Sequence, residues 1–134
     1  LMRELEVQGD APRVLLATPA GERHSLGAMI AAAAAAHDGW HVTWLGADLP
    51  AAQIAAAARR HRANAVGLSV ATVSDGASLR EELALLRQSL DPQTPLYVGG
   101  FGAIALEHID GATLIRDFTH WRSLLRTHAP TRAT

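Results

Sequence analysis

A chain of 134 residues fits one compact domain, with a core large enough to need neither disulfides nor a structural metal. Its 49% hydrophobic and 19% charged residues describe a soluble globular composition, and a formal net charge of −1 leaves no basic excess to grip a nucleic-acid backbone. The absence of cysteine excludes a disulfide scaffold and a cysteine zinc site and agrees with a cytoplasmic location. The Ala-rich stretch 29–36 is too short and too weakly apolar to span a membrane. The first residues do not read as a secretory signal, and 1–7 looks like the end of a longer segment. Residues 1–12 are therefore expected to be a linker from a preceding domain.

The apolar run 14–17 is of buried-strand type, and Thr18-Pro19-Ala20-Gly21 breaks it. A helix is predicted from about 25 to 37. Its six consecutive alanines, 31–36, have the best helix propensity and let a helix lie close to a sheet, while Asp38-Gly39 ends it. Residues 40–45 alternate and are rich in aromatic and β-branched side chains, which predicts a second strand with Trp40 and Trp44 on one side, in packing. Pro50 suits the first turn of a helix reaching about Arg62, and Arg59-Arg60-His61-Arg62 reads as its solvated end. Residues 66–70 form a third strand. Ser78 and Glu81 make a capping-box pattern for a helix lined by Leu79, Leu83, Leu86 and Leu90 and stopped by Asp91-Pro92. A fourth strand, 96–98, ends in Gly99-Gly100, and a short helix follows through Glu107. Residues 113–115 are a weak fifth strand, and Trp121, Leu124 and Leu125 mark a last helix over 119–127. The end, 128–134, reads as a flexible tail.

Strand and helix thus alternate five times, which implies a parallel sheet with helices on both faces and right-handed crossovers. The expected architecture is an α/β, flavodoxin-like (Rossmann-like) domain over residues 13–127, its five strands in the order 2-1-3-4-5. Ligands of such sheets sit beyond the carboxyl ends of the strands, here at the loops 18–24, 69–75 and 99–102.

The first loop carries Glu22, His24 and Gly27 as E-x-H-x-x-G. There is no G-x-G-x-x-G and no Gly-Lys-Ser/Thr, so neither dinucleotide nor triphosphate binding is supported. The loop also lacks the Thr/Ser-rich phosphate cradle of an FMN flavodoxin. A phospho-accepting receiver is disfavoured as well, because no paired acids follow the first strand and the third ends near Ser69 and not at an aspartate. What remains is an imidazole near a carboxylate. Neutral histidine ligates transition metals well, and a neighbouring carboxylate fixes its tautomer and raises its basicity. One protein ligand holds a bare metal poorly, whereas a metal already held by a macrocycle needs only an axial ligand. The spacing is compatible with such a cofactor and does not demand it. Taken singly, His24 reads as a surface-loop histidine, Glu22 as a charge favouring a helix N-terminus, Ser69 as a strand-end hydroxyl and Gly99-Gly100 as a tight turn. The other histidines, at 37, 41, 61, 108, 120 and 128, show no ligand spacing and read as surface or packing residues.

Together, Glu22-x-His24-x-x-Gly27, Gly67-Leu68-Ser69 and Val98-Gly99-Gly100 resemble the cobalamin (vitamin B12)-binding domain. Methionine synthase and adenosylcobalamin mutases carry that domain with D-x-H-x-x-G, S-x-L and G-G signatures. The likeness runs from about Arg13 to Leu125, with Glu22 in place of the usual aspartate and Ala71 in place of the leucine. The string from Thr18 to Gly27 is most similar to the cobalamin domains of MerR-type, CarH-like transcription regulators. The resemblance implies a cofactor, adenosylcobalamin or methylcobalamin, bound base-off. His24 would be the lower cobalt ligand, Glu22 would accept from its other ring nitrogen, and the dimethylbenzimidazole tail would lie in a slot beside the sheet. Ser69 would bond the tail, Gly99 and Gly100 would let it approach the backbone, Gly27 would relieve crowding at the first helix, and Thr72 would be a further polar contact. It further implies a sensor domain that is not itself an enzyme and makes no direct nucleic-acid or membrane contact. A helical bundle and a DNA-binding module would lie elsewhere, with homo-oligomerisation in the full-length protein. A corrinoid carrier of a methyltransferase or mutase is the alternative, and a flavodoxin-like interaction domain that binds nothing is a third.

Overall fold

The computed structural model describes residues 11–72 and 75–128. The expected linker up to residue 10 and the expected tail beyond His128 lie outside the described residues. The elements run β1 (Arg13–Pro19), α1 (Leu26–His37), β2 (His41–Leu49), α2 (Ala51–Arg60), β3 (Ala65–Ser69), α3 (Gly76–Ser89), β4 (Leu96–Gly99), α4 (Phe101–Ile104), β5 (Thr113–Ile115) and α5 (Phe118–His128). All pairings are parallel and the order is β2-β1-β3-β4-β5, as expected from the alternation. No helix among the described residues is long and apolar enough to cross a membrane.

Successive side chains of a strand point to opposite faces, so a central strand must be apolar throughout. In β1, Leu15 and Ala17 join Val66, Leu68, Ile54 and Leu83 beneath α2 and α3. Val14 and Leu16 join Ala35, Tyr97, Trp121 and Leu125 beneath α1 and α5. The second face carries the site.

Local details depart from the sequence reading. The helix N-cap of α3 is Asp75, whose Oδ1 accepts from the N–H groups of Ala77 and Ser78 at 3.2 and 3.3 Å. The Ser78 hydroxyl donates to Asp75 as well (3.0 Å), so the Ser78–Glu81 capping box does not form and the helix starts earlier. Trp40 is buried just before β2. Trp44, by contrast, is 38% exposed on that strand, which forms an edge of the sheet, so the two do not share a packing role. The helix expected to reach Glu107 stops at Ile104, and Glu107 itself takes φ 63°, outside the right-handed helical region.

α1 and α5 are tied twice. The Trp121 indole N–H donates to the Ala31 carbonyl (3.0 Å), and Arg122 grips Asp38 through Nε (2.9 Å) and Nη2 (2.6 Å). The Arg122 hydrogen bond, opposed by burial and helped by the Arg122 and Arg126 charges, lowers the Asp38 carboxyl to about 2. A depressed carboxylate contributes stability above its unfolded pKa, near 3.9, and that contribution disappears as pH falls through the folded value. Asp38→Asn should therefore cost about 1 kcal/mol at neutral pH, a figure reduced for the partial exposure of Arg122. Urea unfolding should show the gap between wild type and variant closing from about pH 4 to pH 2.

Candidate functional site

The site begins with a tight turn after β1. The Glu22 N–H donates to the Pro19 carbonyl (3.0 Å), and Gly21 occupies the third position of the turn with φ 92°, a conformation suited to glycine. The turn is held from both sides. The buried Thr18 hydroxyl donates to the Glu22 carbonyl (2.5 Å) and accepts from the Asp48 N–H (2.7 Å), while Asp48 Oδ1 accepts from the Gly21 N–H (2.8 Å). Glu22 is thereby folded back over the sheet edge and left only 3% exposed.

Its carboxylate accepts four hydrogen bonds. Oε2 takes the His24 backbone N–H (2.9 Å) and lies 2.8 Å from His24 Nδ1. Oε1 takes the N–H groups of Ala71 (2.7 Å) and Thr72 (3.1 Å). Burial disfavours the charge, but the hydrogen bonds from Thr72, from the His24 backbone and ring, and from Ala71 outweigh it, so the carboxyl lies below its usual value. The longer side chain, compared with aspartate, joins the loop after β1 to the loop after β3. With Nδ1 committed to Glu22, the proton of a neutral ring sits on Nδ1 and the Nε2 lone pair is left bare. The His24 side chain is 72% exposed, so that nitrogen is open to a ligand.

Beside His24 a cleft of about 430 Å³ runs between the sheet and α1 and α5, a volume within the range of small-molecule and cofactor pockets. The strand register gives its floor two rows. The upper is Ser69, Gly99 and Ile115; the lower, one pleat further in, is Leu16, Gly67 and Tyr97. A Cβ on Gly27 would lie 2.8 Å from Ser69 Oγ, so the absent side chain is what gives that hydroxyl its room. Phe101, 85% exposed, Leu26, Ile104 and Phe118 make an apolar rim. Among the described residues no group of three or more histidines and carboxylates could hold a metal unaided.

His24, Gly27, Ser69, Gly99 and Gly100 all line this cleft, with Glu22 behind His24. Thr72 does not: it contributes its backbone N–H to Glu22, and its side chain is exposed. Gly100 has φ 103°, and a Cβ there would lie 2.2 Å from the Val70 carbonyl oxygen. Its first requirement is thus backbone packing, with room for a ligand second. The sequence reading missed Thr18 and Asp48, which shape the turn, and the wall made by Arg116 and Asp117 just before α5 and by Phe118 and Trp121 on it. Trp121 was legible as a buried helix-face residue, and it is 3% exposed, but nothing in its spacing placed it against the cleft.

Parallel doubly wound sheet, bare imidazole and apolar cleft at the carboxyl edge define a cofactor-binding domain of flavodoxin-like architecture. The B12 binding domain family matches residues 12–111, and the chain belongs to that family, with cobalamin as its cofactor. Over 92 residues, 69% of the chain, it is 36% identical to the HTH-type transcriptional repressor CarA of Myxococcus xanthus, covering 32% of that protein. It is 35% identical, again over 92 residues and 69% of the chain, to the ethylmalonyl-CoA mutase of Methylorubrum extorquens, covering 13% of it. The chain thus spans about a third or less of these curated relatives. A cobalamin-binding protein from Desulfitobacterium hafniense DCB-2 shares the fold with a TM-score of 0.70 at 23% identity, over 92% of this chain and 60% of that one. The methanol:cobalamin methyltransferase complex MtaBC from Methanosarcina barkeri does so at 0.72 and 17%, over 90% of this chain and 46% of that one. The residues fit the cofactor: one open imidazole nitrogen for a metal already caged, and a glycine-floored apolar cleft for an organic group.

Proposed function

We propose that this chain is the cobalamin-binding sensor domain of a transcription regulator and holds B12 base-off, with His24 as the lower cobalt ligand. The observation that carries this reading is the Glu22–His24 pair, which commits Nδ1 and leaves Nε2 exposed at the mouth of the cleft. In this reading the nucleotide tail enters the cleft, Ser69 bonds its ring nitrogen, and Gly27, Gly99 and Gly100 leave it room. Glu22 and the Thr72 N–H act indirectly, by holding His24. Bound, adenosylcobalamin or methylcobalamin would supply a labile cobalt–carbon bond, and hence a ligand state to be sensed. The chain itself would be no enzyme: DNA binding and the helical cover of the upper corrin face belong to other modules of the full-length protein, which would self-associate on loading.

The test is the visible spectrum of hydroxocobalamin titrated with the chain. We expect a base-off, histidine-ligated spectrum, lost in His24→Ala together with roughly tenfold or more of the affinity. An unchanged spectrum in His24→Ala would remove the assignment. The identity with the mutase favours a second reading, a corrinoid carrier within an enzyme. Electrophoretic mobility of operator-length DNA with the full-length protein, with and without adenosylcobalamin, separates the two, because only a regulator shifts DNA in a cofactor-dependent way.

A further inference from the structure

The cleft changes chemical character with depth. Its outer part presents His24, Ser69, Arg116 and Asp117. One pleat inward the floor is Leu16, Gly67 and Tyr97, and the walls are Ala28 and Ala31 of α1 and Trp121 of α5. The Trp121 N–H, the polar atom of that side chain, is already given to the Ala31 carbonyl at 3.0 Å. A Cβ on Gly67 would meet Leu16 Cδ2 at 2.5 Å and Trp121 at 3.1 Å, so the indole lies flush on the sheet and limits how far a ligand penetrates. The Tyr97 ring meets the indole edge-on, with centroids 5.6 Å apart, and burial pushes its phenol up to about 12.

We infer that this inner end selects among corrinoids by the polarity of the lower base, with Trp121 as the specificity-determining wall: benzimidazole-type bases are accepted and adenine-type bases are disfavoured. The inference rests on the reading above, in which the tail enters the cleft. A dimethylbenzimidazole brings methyl groups to this wall and gains by burying them. An adenine brings an exocyclic amine and extra ring nitrogens. These must give up water where the neighbouring indole N–H and Ala31 carbonyl are already paired, and an unpaired buried polar group is costly.

Equilibrium dialysis of the 134-residue chain against three probes tests this: hydroxocobalamin, its analogue with adenine as lower base, and aquacobinamide, which has no nucleotide. We expect the adenine analogue to bind roughly tenfold or more weaker than hydroxocobalamin. Trp121→Phe frees the Ala31 carbonyl as an acceptor for the amine, and Ala31→Ser adds a hydroxyl to the same wall at a half-buried position. Either should narrow the gap, and Ala31→Ser carries the test if the tryptophan variant does not fold. Equal binding of the two complete corrinoids, with aquacobinamide much weaker, overturns the inference and leaves the tail in the cleft. Aquacobinamide binding as tightly as hydroxocobalamin overturns the tail reading itself. A gap unchanged in Ala31→Ser and in a folded Trp121→Phe removes the role of this wall.

Discussion

Glu22→Gln is expected to lower the unfolding free energy by about 3 kcal/mol, although the side chain keeps its size. The two oxygens of Glu22 serve two pairs of donors, Ala71 and Thr72 N–H on one side and His24 N–H and Nδ1 on the other. An amide has one oxygen: turned toward His24 it leaves an NH2 group facing the Ala71 and Thr72 N–H donors, and turned toward that pair it leaves the NH2 facing the His24 N–H, with the ring obliged to change tautomer before Nδ1 can accept. At least one charge-assisted bond is lost in a buried place, worth roughly 1.5–3 kcal/mol, and the remaining bonds lose the anion that strengthened them. Urea unfolding measures the loss. The His24 ring also loses the partner that fixes its tautomer, so hydroxocobalamin affinity should fall with stability. Glu22→Asp separates charge from reach: it keeps the anion but is one methylene too short to serve both loops, and it should lie between wild type and the glutamine variant. A glutamine variant as stable as wild type would mean that the carboxylate does not join the two loops.

Gly100→Ala should be about as damaging, for a different reason. The residue sits at φ 103°, and the new Cβ would fall 2.2 Å from the Val70 carbonyl oxygen, a backbone atom that also accepts from the Gly102 N–H at 2.9 Å. Backbone strain of roughly 1–3 kcal/mol and a comparable overpacking cost combine to about 4 kcal/mol, or a Tm lower on the order of 15 °C. Gly99→Ala is the control. Its Cβ would approach Ile115 Cβ at 3.2 Å, a contact relieved by a shift of a few tenths of an ångström in the edge strand β5, and a cost near 1 kcal/mol is expected. Thermal unfolding of the two variants therefore separates two glycines that look equivalent as a dipeptide.

Much of the architecture was legible because its causes are local. The apolar run in β1, the alanines of α1 and the Leu79–Leu83–Leu86 stripe of α3 each state their element through neighbours within a few positions. The alternation of strands and helices then admits few topologies, and it points to the loops at the carboxyl edge. Even locally, competition decided one case: Asp75 reaches the Ala77 and Ser78 amides first, and the Ser78 cap is lost.

The sequence by itself determined the alternation of strands and helices, the loops at the edge that carries the cleft, and an imidazole with a carboxylate two residues away. Tertiary structure decided what those residues do. Glu22 finds its second pair of donors 49 and 50 residues along the chain. Trp121 bonds Ala31 across 90 residues to wall the cleft, and Gly100 is required by the carbonyl of Val70. Periodicity and propensity record only what lies within a turn or a pleat. These contacts exist because the crossovers bring β1, β3 and β4 side by side and lay α1 and α5 over one face, which no local pattern encodes.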